Sequence, residues 1–336
     1  MEILVDGDYA KKGIMYPVYL ATTEGRLIAG TTRGSLAVNA CGGARTKILN
    51  DFMTRSVIVE TDGVKDSSEI IRFVNSEAGK KLLHGEFEKH TKHGEFVLAE
   101  CYTLGSRVFI VYRVKTKAAM GMNMVTIASS NMTKVLVEEL NKKGIACRIL
   151  SESGNMCADK KPSMINVIRG RGVSVVAEVV VPRKVLADRL HAEPEVIVEI
   201  NYAKNYLGSG LAGSIAHNAH IANVLAAAFI AYGQDPAQLV DGSVAFDDAK
   251  LTKDGDLYLS VYIPALEIGT FGGGTKRETQ MELLKSTGVY GEGDEKGETK
   301  LKFAEILAAT CLAAELNLLA AEATGHLSKA HASIKR

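Results

Sequence analysis

Between residues 204 and 232 the chain contains no proline, and Ala and Leu, the strongest helix formers, dominate the second half. Apolar residues fall on every side of that stretch, the pattern of a helix buried on all faces. At 1.5 Å per residue such a helix would be about 43 Å long, enough to cross a domain. Gly208, Gly210, Ala212 and Gly213 leave room for close backbone packing, Gly233 stands where a C-cap belongs, and Pro236 blocks continuation. The rod nevertheless holds Lys204 at its head, His217, His220 and Asn223 along it, and Asp235 past its tail. Buried polar groups are costly unless paired or put to use. The pattern predicts a long central buried helix that bears an active site.

Upstream, residues 16–21 read as a strand, 22–25 as a turn, 33–49 as a helix and 56–60 as a short strand. The spacing then changes. Asp66 and Glu69 open a helix with Ile70, Val74, Ala78 and Leu82 on one face. Two alternating runs, 95–103 and 107–114, flank Gly105 and Ser106, a two-residue hairpin turn. A second helix, 121–142, puts Val125, Ala128, Met132, Leu136 and Leu140 on one side and stops at Gly144, and 145–150 is a further strand. The order β-α-β-β-α-β is the ferredoxin-like split unit. Beyond it, 173–181 reads as a strand, 182–190 as a helix, 195–201 as a strand feeding the central helix, and 257–263 as a strand. A glycine loop, 267–275, heads a helix from Lys276, and 303–326 is a long Ala/Leu helix. The expected fold class is α+β. A large mixed α/β domain (1–55 and 151–336) surrounds the central helix, a small ferredoxin-like domain (56–150) is inserted in it, and 328–336 is a mobile tail.

Composition narrows the function classes. Lys and Arg number 40 against 39 Asp and Glu, a net charge of +1, so nothing points to a nucleic acid or an anionic membrane surface. The 5 cysteines form no C-x-x-C pair, which fits a reduced, cytoplasmic chain. The first residues lack an apolar signal core, and His217, Asn218, His220 and Asn223 interrupt the apolar stretch, so no membrane span is expected.

Each candidate motif has a plain structural reading beside the chemical one. Residues 208–213 match G-x-G-x-x-G, but Tyr202 to Leu207 separate the glycines from the preceding strand, and Asp235 follows a helix cap rather than a strand. Small residues for helix packing explain the match better. His217 and His220 share a helix face without a third ligand, so hydrogen-bonded core histidines are expected and no metal. Lys160 and Lys161 beside Asp159 are either a surface cluster or a cation aimed at a developing oxyanion. Gly272 to Gly274, and the helix start at Gly121, either meet a phosphate or turn the chain. Glu24 in its turn, and His326 and His331 near the C-terminus, read as solvated groups on residue type alone.

Taken together, nine segments resemble the 3-hydroxy-3-methylglutaryl-CoA (HMG-CoA) reductase family in order: ATTEG (21–25), DFMTR (51–55), AMGMNM (119–124), SGNMCADKKPSMIN (153–166), AKN (203–205), NAHIANV (218–224), GQD (233–235), EIGTFGGGT (267–275) and GHLSKAH (325–331). AMGMNM is similar to the eukaryotic and archaeal (class I) branch, which uses NADPH. The resemblance implies a four-electron reduction of HMG-CoA to mevalonate and CoA by two NADPH, in the mevalonate route to isoprenoids. It implies Lys160 as oxyanion stabiliser, Glu24 as proton donor, Asp235 as their shared support and His331 as the acid for the CoA thiolate. Arg55, Ser153, Asp159, Lys161, Lys204, His220, Asn223 and His326 would bind substrate. Met120, Gly121, Met122, Asn123, Met124, Phe271 and Gly272 would hold NADPH. Thr91, Lys92 and His93 stand where relatives have Ser-Arg-Phe against the 2′-phosphate, and Lys92 keeps the charge without Arg's fork.

The family works as a homodimer or dimer of dimers with active sites at the subunit interface, which becomes the expectation here. Several positions depart from the pattern. Ala118 replaces an Asp and Phe271 a Val, while Gly30, Leu36 and His191 replace Ser, Arg and Lys that contact CoA in relatives. The relatives' Glu-Asn-Val-Ile-Gly segment would lie ahead of this sequence, so either altered subunit joining or a fragment of a longer chain is the expectation, and no C-terminal serine for phosphorylation control is expected. These departures leave a rival reading, a binding or assembly subunit that kept the fold without turnover.

Overall fold

The computed structural model describes residues 1–294 and 296–325. In chain order, β1 (Glu2–Asp6) and β2 (Met15–Pro17) precede α1 (Gly25–Ala40) and β3 (Ala44–Thr61). The expected strand at 16–21 shortens to three residues because Pro17 has no N–H for a ladder. α1 starts earlier than expected and ends at Ala40 instead of 49. Gly42 and Gly43, at φ +91° and +101°, take left-handed backbone and turn the chain straight into β3. The short strand expected at 56–60 is the end of this 18-residue strand.

Next come α2 (Val64–Asn75), α3 (Glu77–His90), β4 (Glu95–Leu104), β5 (Arg107–Lys115), α4 (Met122–Lys142) and β6 (Cys147–Ser151). The single helix expected from Asp66 is two, since the Ser76 hydroxyl accepts from Gly79 N–H at 3.1 Å and caps a new start. The hairpin and α4 match their periodicity. Then follow α5 (Met164–Arg169), β7 (Gly172–Val181), α6 (Arg183–Leu190), α7 (Pro194–Ile200), α8 (Ser209–Leu211), α9 (Ile221–Tyr232), α10 (Leu239–Gly242), β8 (Phe246–Leu251), β9 (Leu257–Leu266), α11 (Glu278–Thr287) and α12 (Glu298–Ala323).

Two expectations fail in this half. Residues 195–201, read as a strand, form α7, because Pro194 at the first helical position presets its φ despite the β-branched run. The long central helix is not continuous. Asn201–Gly208 is a π-helical turn, α8 adds one turn, and the chain then leaves the helix until α9. Glycines at 208, 210 and 213 weaken the helix, and Gly213 adopts φ +76°. Asn218 restarts it: its Oδ1 accepts from Ile221 N–H, and its Nδ2 donates to the Ser243 and Ala245 carbonyls.

β3 binds the architecture together. The nine strands form one mixed sheet, with β2-β1-β3-β7-β9-β8 along its main path. β1 runs parallel to β3, and the other neighbours are antiparallel. The first half of β3 pairs with β7, while its second half pairs with β5 on one side and β6 on the other. Two hydrophobic clusters result. One gathers α1, α9 and α12 with β7 and β9, and the other packs α2, α3 and α4 against the second half of β3 with β5.

The helix buried on all faces is α12. By length and apolarity it would suit a bilayer, yet it is enclosed by protein and every internal charge is engaged. Lys300 Nζ meets Asp51 Oδ1 at 2.7 Å. The Glu305 carboxylate accepts the N–H groups of Asp8, Tyr9 and Ala10 at 2.7, 3.0 and 2.6 Å. Glu315 accepts those of Ala219 and His220 at 2.7 and 2.8 Å. An unsatisfied buried donor costs about 1–3 kcal/mol, so Glu305→Leu, which strands three of them, should cost at least ~2 kcal/mol. Urea unfolding reads the loss, and hydrogen exchange at Tyr9 and Ala10 should accelerate. An unchanged midpoint with unchanged exchange contradicts this role.

Candidate active site

Lys160 lies on a tight loop between β6 and α5. Asn155, Ala158 and Lys160 itself take left-handed φ of 55°, 47° and 57°, which side chains other than glycine's resist. The loop is held from outside. Asp241, fully buried on α10, accepts the N–H groups of Lys160 and Lys161, each at 2.9 Å, one per oxygen. Asp241 in turn meets Arg171, whose side chain has no exposure. The Arg171 guanidinium also reaches Asp159 Oδ1 at 2.9 Å, Gln238 Oε1 at 3.1 Å, Met122 Sδ at 3.2 Å and the Glu267 carboxyl.

Three carboxyls around one buried guanidinium cannot all ionise cheaply. Burial pushes Glu267 well above the usual carboxylate range despite Arg171, and Asp241 adds to the shift. Burial also raises Asp241, against the pull of Arg171 and the two loop N–H groups. Glu267 Oε2 has no N–H or O–H donor, so we assign it a proton that bridges to Asp241. The resulting cluster fixes both the backbone of the loop and the side chain of Asp159.

Lys160 Nζ sits 2.9 Å from Asp235 Oδ2, with the two side chains 43% and 32% exposed. The hydrogen bond that Lys160 donates to Asp235 raises the lysine above its ordinary 10.5 against some desolvation. Burial opposes the ionised form of Asp235, but the bonds from Lys160 and from Ala237 N–H win and hold it below 3.8. Asp235 is placed by Gly233, which caps α9 at φ +66° so close to the Gly274 carbonyl that a Cβ would collide with it. Gln234 braces the same turn by accepting from Gly269 N–H at 2.8 Å.

Asp235 opens onto a cavity of about 440 Å³ lined by 119–124, 233–235 and the glycine loop. Met120, Gly121, Met122, Asn123, Met124, Phe271 and Gly272 therefore share one cavity wall with Asp235. Its floor is the N-terminus of α4, a 21-residue helix, where Gly121 takes φ +86° and free N–H groups favour an anion. Thr91 lies beside it, donating to Met124 Sδ at 3.3 Å, and Lys92 and His93 follow it. The buried Ala118 keeps a structural role, its carbonyl accepting from Thr270 N–H at 2.8 Å. Arg55 Nη1 lies 3.8 Å from Asp159 Oδ2. Ser153 and Lys161 are exposed on the same loop system, and Lys161 Nζ donates to the Asp159 carbonyl at 3.1 Å.

The remaining residues form a second assembly along α9 and the end of α12. Glu24, at the start of α1, and Asn223 line a groove of about 470 Å³ with Leu27, Ala226 and Ile230. Among the described residues the Glu24 carboxylate has no hydrogen-bond or ion partner, and it does not join Lys160 and Asp235. Lys204 Nζ pairs with Glu322 Oε1 at 2.5 Å. His220 Nε2 is buried 3.9 Å from Glu315. His217 is structural, stacked between Tyr206 and Phe246 with Nδ1 on the Asn205 carbonyl at 2.8 Å. Of the positions that depart from the family pattern, Gly30 packs on Asn317, Leu36 is exposed, and His191 caps α6. His326, His331 and the tail lie outside the described residues.

Sequence reasoning missed Arg171, Asp241, Glu267 and Glu322. Arg171 carried a signal, an arginine between two glycines at the mouth of an apolar strand. Asp241→Asn should free the Lys160 loop, raising tryptic cleavage after Lys160 about tenfold, a tenfold change being ~1.4 kcal/mol of local opening. Unchanged cleavage would contradict the restraint. The stabilising effect on Asp235 is full above 3.8 and lost as pH falls through its lowered value, while that on Lys160 persists up to its raised value. The pair therefore stays ionised from about pH 4 to 10, so Asp235→Asn should shift no stability transition inside that window.

A profile of the family described as hydroxymethylglutaryl-coenzyme A reductase matches residues 1–336. The chain is 44% identical over 332 residues to the 3-hydroxy-3-methylglutaryl-coenzyme A reductase of Pyrococcus horikoshii, covering 99% of this chain and 79% of that protein. It is 43% identical over 335 residues to that of Methanocaldococcus jannaschii, covering 99% and 80%. In fold it resembles the class II 3-hydroxy-3-methylglutaryl-CoA reductase of Streptococcus pneumoniae solved with NADPH, with a TM-score of 0.72 at 18% identity over 96% of this chain and 83% of that one. Matched from end to end by the family profile and this close to archaeal members, the chain belongs to the hydroxymethylglutaryl-coenzyme A reductase family.

Proposed function

We propose that this chain reduces HMG-CoA to mevalonate and CoA with two NADPH. The observation that carries the reading is the Lys160–Asp235 pair at the mouth of the cavity lined by 119–124 and the glycine loop. A lysine kept charged and half-exposed beside a large cavity is suited to a carbonyl oxygen that gains charge as hydride arrives. NADPH supplies that hydride when bound. The residues fit such a cofactor: the α4 N-terminus and Gly121 suit a pyrophosphate, the glycines admit close backbone approach, and Lys92 offers charge for a 2′-phosphate.

Lys160 stabilises the oxyanion at each addition, and Asp235 holds it charged and in place. Arg55, Ser153, Asp159 and Lys161 receive the acyl end from this side, with Lys204, His220 and Asn223 from the other. Glu24 delivers the proton to the reduced oxygen, and by family resemblance His331 protonates the departing thiolate and His326 is a substrate-binding residue. Residues 56–150 are the cofactor-binding small domain. Their ferredoxin-like character is supported by the antiparallel order β6-β3-β5-β4 and by a hydrophobic cluster of their own. Residues 1–55 and 151–336 make the large domain.

The site is shared between two copies. Glu24, Asn223 and Lys204 lie on one assembly and Lys160, Asp235 and Asp159 on another, and a C2 arrangement brings each assembly to its complement. HMG-CoA-dependent oxidation of NADPH tests the reaction. Lys160→Ala should lower kcat by about 10²–10³, the usual loss for an oxyanion donor. Glu24→Gln and Lys160→Ala should each be nearly inactive alone. Co-refolded in equal amounts, they should recover roughly a quarter of wild-type activity, since half the dimers are mixed and one of their two sites is intact. No recovery would place the whole site within one chain. No HMG-CoA-dependent oxidation by the wild type would end the functional reading.

A further inference from the structure

Lys204 is one of the cations that the proposed function turns toward the acyl end of the substrate, where the free carboxylate lies, and it is already paired. Glu322, near the end of α12, places Oε1 2.5 Å from Lys204 Nζ. Its other oxygen, Oε2, is buried with no hydrogen-bond partner. The surroundings are acidic as well. Behind Lys204 stand Asp247 and Glu315, both with fully buried side chains, Asp247 receiving Asn205 Nδ2 at 3.1 Å. Burial and the neighbouring Glu315 push Asp247 well above the usual carboxylate range. The Glu322 carboxylate alone already offsets the one positive charge of Lys204. A carboxylate arriving at this subsite meets a cation that is already neutralised.

We propose that Glu322 is a specificity-determining residue, an internal carboxylate that competes with the substrate's own for Lys204 and weakens binding of acyl groups that end in a free carboxylate. This rests on the reading of Lys204 as the seat of that group. An arriving diacid must break the Lys204–Glu322 pair and leave Glu322, with its unpartnered oxygen, beside the new anion. Substituting Glu322 removes both obstacles at once. A purely structural ion pair predicts the reverse, a less stable protein that binds no better.

The test uses the full chain with Glu322→Gln and, should that variant fold poorly, Glu322→Leu. Two quantities are measured: KM for HMG-CoA at saturating NADPH, and Kd for free 3-hydroxy-3-methylglutarate by calorimetry. The expected result is a fall of about tenfold in both, the order of one charge interaction at a partly exposed site. The gain should vanish when Lys204→Met is added. Unchanged or weaker binding of both compounds, with wild-type turnover intact, overturns the competitor and leaves the reaction standing. Tighter diacid binding in a protein that never oxidises NADPH with HMG-CoA supports the competitor and overturns the reaction.

Discussion

A buried guanidinium decides where the Lys160 amine sits. Arg171 has no exposed side-chain surface, and it holds Asp159, Asp241 and Glu267 from three separate parts of the chain. A cation so placed is tolerable only if its carboxylates stay in position, and those carboxylates do other work while they wait. Asp241 pins the left-handed Lys160 backbone, Asp159 faces Arg55, and Glu267 directly follows β9 where the glycine loop begins. Arg171 also touches Met122 on the wall of the cavity onto which Asp235 opens. One side chain therefore registers the lysine loop, the glycine loop and the start of α4 against each other.

That hub works because the scaffold beneath it is continuous. β3 passes through both hydrophobic clusters, so the ladder carrying Arg55 is the same strand that anchors β7. α12 crosses beneath it and replaces solvent for the loops it underlies, through Lys300, Glu305 and Glu315. Its last turn delivers Glu322 to Lys204.

Local periodicity made part of this legible. The 95–114 hairpin, α4, β7 and the Ala/Leu helix near the C-terminus follow spacing and cap signals that tertiary contacts do not override. The stretch from 204 to 232 misled because Ala and Leu outweighed the glycines in any average, while Asn218 could restart the helix only through carbonyls brought in by the segment before β8. β3 was hidden by its polar alternation, since both its faces change surroundings midway. α7 was hidden by β-branched residues behind a proline. At the site, residue types left Asp159, Lys160 and Lys161 undecided between surface cluster and oxyanion cradle, and only the combined motifs singled them out. Asp241 and Glu267 gave no such signal, because a carboxylate that supports a loop from a distant segment has no spacing to read.

Lys160 is held charged by Asp235 through a loop that Asp241 restrains. Titration of the Lys160 amine itself, by competitive acylation across pH with mass spectrometry of the 160-containing peptide, measures this most directly. In the wild type the midpoint should lie above the ordinary 10.5, and in Asp241→Asn it should fall back toward that value as the pair loosens. A wild-type midpoint below 10.5, or one that Asp241→Asn leaves unmoved, would contradict it.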